Sequence, residues 1–118
     1  MDLRNLNATE LKRIPEEDVS SRAIKWLAEA DIDRVALEER WGSAETAYDS
    51  LAEWLCFAFS PAEGEAFLLL REVEHPPTPQ FGLSVTSGLF SASAAERIVE
   101  ALGIAEARVT RVNADAAS

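Results

Sequence analysis

The amino-acid sequence predicts an α+β fold, and three observations predict it. Apolar residues occupy 47% of 118 positions, enough to build a buried core. Their spacing switches along the chain between the three-and-four repeat of a helix and the alternation of a strand. Turn formers punctuate these stretches at Gly42, at Pro61 with Gly64, at Pro76 to Pro79, near Gly88 and at Gly103.

Leu3, Leu6, Leu11 and Ile14 suggest a short opening helix, with Asn7 and Glu10 at capping-box spacing. Pro15-Glu16-Glu17-Asp18 suits a helix entry, because proline fits the first turn and acids there oppose the helix dipole. Val19, Ala23, Trp26, Leu27 and Ala30 then share one helical face, which predicts a helix over 16–30.

Beyond Asp31-Ile32-Asp33, the residues Val35, Leu37, Glu39 and Trp41 alternate with Ala36, Glu38 and Arg40. This predicts a half-exposed strand ending at Gly42, with a short helix of good helix formers as the competitor. Ser43 can cap a helix carrying Ala44, Ala47, Tyr48, Leu51, Leu55 and Ala58 on one face. The competing reading there is a strand starting at Trp54.

Pro61-Ala62-Glu63-Gly64 is a turn. Ala66 to Leu70 reads as a central strand that continues through Arg71-Glu72-Val73-Glu74. The three prolines of His75 to Pro79 impose a stiff extended loop. Phe81 to Thr86 resumes strand character and is expected to pair antiparallel with the preceding strand. Ser93 and Glu96 have capping-box spacing before Ile98, Val99 and Leu102, with Gly103 placed to end that helix. Arg108 to Val112 is a last strand, and Asn113 to Ser118 is expected to fray.

The resulting order is an antiparallel sheet with helices on one face, in the ferredoxin-like sequence β-α-β-β-α-β. A helical arm over 1–30 precedes a core over 31–112 and a tail over 113–118, all in a single domain.

Charge narrows the partners. Twenty-one acids against 11 bases leave a net charge of -10. Direct nucleic-acid binding needs clustered Lys and Arg to displace counterions, and no basic run exists. Anionic membrane surfaces are disfavoured for the same reason. A basic protein partner is electrostatically favoured, and mere solubility is the bland alternative. Met1-Asp2-Leu3-Arg4-Asn5 lacks a basic-then-apolar leader and no apolar run is long enough to span a bilayer, so a cytoplasmic location is the expectation.

Chemistry-bearing motifs are sparse. The one cysteine, Cys56, lies in the apolar run Trp54 to Phe59 and reads as a buried thiol rather than a partner of the one histidine, His75. One Cys and one His are too few for a common zinc site, and the five glycines stand apart, so no phosphate loop, metal or cofactor is expected. Glu72 with Glu74, and Glu38 beside Arg40, are carboxylate positions of the kind that bind Mg²⁺ or act as acid and base, but solvated strand faces are far commoner.

Residues 16 to 53 hold eleven acids and four bases, a net of -7. On an edge strand, Asp31, Asp33, Glu38, Glu39 and Glu45 around Trp41 would form an acidic patch with an aromatic anchor. These six are the candidate partner-binding residues. Trp26 and Trp54 read as core, and the proline loop as a connector or a docking segment. The expectation is a small non-enzymatic inhibitor of a basic protein, either an immunity protein or antitoxin against a toxin or a phage anti-defence protein that blocks a nucleic-acid-binding machine. A self-associating adaptor subunit and a small carboxylate-dependent enzyme are the alternatives.

Overall fold

The apolar run Leu55 to Phe59 is buried throughout, and it is the middle of a strand. The computed structural model describes residues 11–48, 51–73 and 80–116. In chain order the elements are β1 (Lys12–Ile14), α1 (Glu16–Ser20), β2 (Lys25–Asp31), α2 (Arg34–Trp41), β3 (Glu45–Tyr48), β4 (Glu53–Ala62), β5 (Glu65–Glu72), β6 (Gln80–Val85), α3 (Ala92–Leu102) and β7 (Arg108–Val112). A 3₁₀ turn covers Ser87–Leu89.

All seven strands form one antiparallel sheet in the order β1-β4-β5-β6-β2-β7. β3 lies beside β1 along the same edge of β4. The α+β class is therefore observed. The sheet order is not the ferredoxin-like one, because β2, drawn from the segment expected to be a helical arm, sits between β6 and β7.

Three local expectations are corrected, each for a physical reason. The helix expected over 16–30 stops after five residues, and Lys25–Asp31 is a strand. A bulge between Trp26 and Ala28 puts Leu27, Ala28 and Ala30 on one face, which breaks the alternation and imitates helical spacing. The strand expected over 33–41 is α2. Asp33 caps it, its carboxylate accepting from the Ala36 N–H at 3.3 Å, and Arg34 pairs with Glu38 one turn on at 3.0 Å. The helix expected from Ala44 to Ala58 is β3 followed by β4. Both faces of β4 are buried from Leu55 to Phe59, so apolar residues fill each of these positions and no period of two survives there to be read.

Several expectations match. β5 and β6 pair antiparallel, with Phe67 opposite Val85 and Leu70 opposite Gly82. α3 ends at Gly103 in the left-handed region (φ 70°), although its cap is Ser91, whose Oγ accepts from the Ala94 N–H at 3.0 Å. β7 is an edge strand on β2. Residues 113 to 116 are pinned rather than frayed. The Asn113 N–H donates to the Leu27 carbonyl at 2.7 Å, and its Nδ2 donates to the Trp26 carbonyl at 2.9 Å.

The sheet's two faces carry two separate cores. Under α2 and α3, Phe59 stacks on Phe67 with centroids 5.1 Å apart, Phe57 meets Phe81 edge-on at 5.9 Å, and Leu37 and Ile98 close the cluster from the helices. On the opposite face Cys56, Ala58, Ala66 and Leu68 pack beneath Val19 of α1, so helices lie on both faces rather than one. Among the described residues no helix is long and apolar enough to cross a membrane.

Candidate functional site

The six acidic-patch candidates do not converge. Asp31 ends β2, where Arg108 of β7 approaches it at 3.5 Å. Asp33 is spent as the cap of α2. Together they border a hollow of about 490 Å³ with Glu106 and Arg108. Glu38 turns towards the chain, binding Arg34 on one oxygen and accepting from the Ala44 N–H at 3.0 Å on the other. That backbone hydrogen bond, aided by Arg34, holds its carboxyl below the usual range.

Trp41 is half-buried. Its ring meets Phe59 edge-on at 5.4 Å, and its Nε1–H donates to the Leu102 carbonyl at 2.8 Å, tying α2 to the end of α3. Glu39 is exposed on α2. Glu45 belongs to β3, at the other side of the sheet. Four strand spacings separate it from Asp31, roughly 19 Å.

Arg13 of β1 explains why the 41–43 corner is fixed. Its guanidinium lies 4.8 Å from the Phe57 ring centroid and donates to the carbonyls of Trp41, Gly42 and Ser43 at 2.9 to 3.3 Å. Burial lowers its pKa, with Glu45 and Glu38 opposing that shift. The cluster is a structural clamp on the α2 side of the sheet.

On the opposite face the sheet is only half covered. α1 is five residues long and ends over the Cys56 and Leu68 region. Next to it opens a groove of about 360 Å³ walled by Ile24, Ala47, Trp54, Leu68 and Leu70, with Tyr48 and Glu16 at its margin. The strand register accounts for this wall. Ala47 stands opposite Trp54, and Cys56 opposite Leu70, so their side chains share one face. Tyr48 is 73% exposed and Leu51 91%, the two most exposed large apolar residues of the described chain.

The surroundings of the groove are acidic. Glu16 lines it, Glu17 and Asp18 share the same helical turn, and Glu45 accepts from the Glu16 N–H at 2.8 Å. Glu53 stands opposite Tyr48, and their side-chain hydrogen bond raises the phenol's pKa. Two nearby cations are directed to the other face: Arg13 lies over Phe57, and Lys25 lies 4.5 Å from the Phe90 ring. Arg22, exposed after α1, offsets one of the five carboxylates.

Beneath the groove Cys56 is buried. Desolvation first, then Glu16 and Glu45, push its thiol up to about 12, so it is neutral and unreactive at ordinary pH. His75, Glu74 and the proline loop lie outside the described residues. Among the described residues no group of three or more His, Cys, Asp or Glu side chains is arranged to hold a metal ion.

Sequence reasoning identified Glu45 alone of the residues around the groove. Ile24 precedes β2, and Tyr48, Trp54 and Leu70 come from β3, β4 and β5, while locally Trp54 and the run Ala66 to Leu70 read as core and a central strand. Comparison with protein-family models, with characterised proteins and with solved structures returned no match.

Proposed function

We propose that this protein is a small non-enzymatic inhibitor that binds a basic protein, of the immunity-protein, antitoxin or phage anti-defence kind. The observation that carries the reading is the groove beside α1: its wall is apolar, its margin holds Tyr48 and Glu16, and Glu17, Asp18, Glu45 and Glu53 neighbour those two residues along the chain or across strands. An apolar centre desolvates the contact and contributes affinity, while a one-signed margin steers a basic partner and rejects acidic ones. The net charge of -10 extends the same field over the whole molecule. A nucleic-acid-binding partner fits this electrostatic profile, because its own binding surface must be basic.

This reading moves the interface away from the Asp31 to Trp41 segment. Asp33, Glu38 and Trp41 hold the chain together there, and a partner would have to disrupt those bonds to use them. Glu45 is retained.

The test is capture from the lysate of the source cells with the full chain as bait, at low and high salt, beside a Glu16→Lys/Tyr48→Lys double variant. One basic protein in near-equal amount is expected. It should be lost at high salt and lost by the variant, and its own activity should be suppressed when the purified chain is added. Capture of nothing, or a partner whose activity is unchanged by the chain, refutes the inhibitor reading.

A further inference from the structure

We infer that the groove receives an extended basic segment of the partner, added as an eighth strand on the outer edge of β3. The inference rests on the basic-partner reading above and says how that partner is held. β3 pairs with β4 through Glu45 to Tyr48, and among the described residues no strand pairs with its other side. An edge of this kind presents backbone N–H and C=O groups to an incoming chain, and strand addition satisfies them. β1 occupies the adjoining stretch of the same β4 edge, and of the outer strands β1, β3 and β7 it is β3 that contributes Ala47 and Tyr48 to the groove.

The groove lies on the face that such a strand would share. Ala47 of β3 and Trp54 of β4 are cross-strand neighbours in its wall, with Leu68 and Leu70 one strand further in. Alternate side chains of an added strand, about 6.7 Å apart, would point towards this wall, and apolar residues suit those positions. On the same face Glu45, two residues from Ala47 and bonded to the Glu16 N–H, would meet a flanking position, and the intervening positions would meet Tyr48 with Glu53 behind it, which suits Lys or Arg at both.

A second copy of this chain is the poorer occupant. It would bring another molecule of charge -10 to the same edge and set its own Glu45 and Glu53 among these carboxylates. The short acidic strand is thus guarded against its own kind and open to a basic one.

Short random peptides displayed on yeast and selected on the full chain at low salt provide the probe. Selection is expected to enrich Lys or Arg alternating with apolar residues, without a central proline. The synthesised winner should shift the amide resonances of residues 45–48, 24 and 54, and slow amide exchange in β3 about tenfold or more. N-methylating the alternate peptide bonds that face β3 should weaken it at least about tenfold. Tyr48→Lys, at an exposed position that leaves folding intact, should do the same through charge and lost contact.

Equal binding of the N-methylated peptide, or shifts confined to another surface, overturns strand addition while leaving the basic-partner reading in place. Enrichment of acidic or uncharged peptides overturns both. No enrichment, or light scattering that shows a dimer protected at β3, overturns strand addition. Lysate capture then decides the basic-partner reading by itself.

Discussion

On one face of the sheet, Phe57, Phe59, Phe67 and Phe81 are wholly buried beneath α2 and α3. On the other, Cys56, Ala58 and Ala66 are buried beneath a single five-residue helix, and Trp54 and Leu70 border an open groove. The residue sizes match the coverage. Large rings fill the deep side, where two helices stand off the sheet. Small side chains let α1 approach closely, and α1 is too short to reach across. The first face buries the larger apolar side chains, under two helices. The second is built thinly and leaves an apolar wall at the surface, which is where binding energy is available.

The largest expected effect is on the covered face. Phe59→Ala removes a ring that stacks on Phe67 and meets Trp41 edge-on. It should cost about 3–5 kcal/mol in denaturant unfolding. Leu68→Ala, on the half-covered face, should cost about 2 kcal/mol, the low end for such a truncation, because the adjoining groove already leaves that wall incompletely packed. Equal losses at the two positions would break the comparison.

Trp41→Phe keeps most of the apolar contact with Phe59 but leaves the Leu102 carbonyl without its indole donor, which should cost about 1 kcal/mol. Tyr48→Lys should leave stability within about 0.5 kcal/mol of the parent while lowering capture of the partner, so binding and stability separate on the groove side.

The smallest effect is electrostatic. The native carboxyl of Glu38 has a lowered pKa, so its contribution is present above its ordinary value of 4.5 and is lost as pH falls through the lowered one. Glu38→Gln should lower stability at neutral pH by that contribution, flatten the profile in the acid range and converge with the parent at low pH. An unaltered acid limb in the variant would show that the bond to the Ala44 N–H does not hold the corner.

What the sequence determined by itself was the material and the local stops. Composition set an α+β chain with a buried core, and its charge set the sign of the surface. Ser91 to Gly103 was legible as a helix because its apolar stripe faces a core on one side only. The strands at 65–72, 80–85 and 108–112 were legible because turn residues bound them. Tertiary structure decided the rest. Lys25–Asp31 contains good helix formers and becomes a strand because β6 and β7 pair with both its edges. Trp54 to Phe59 loses its alternation because both faces are buried. Arg34–Trp41 alternates and is nonetheless a helix, capped by Asp33 and held by Arg34 and Glu38. The groove was legible least of all, since its wall joins residues 24, 47, 54, 68 and 70 through cross-strand register. No local pattern encodes register between strands brought together from distant parts of the chain.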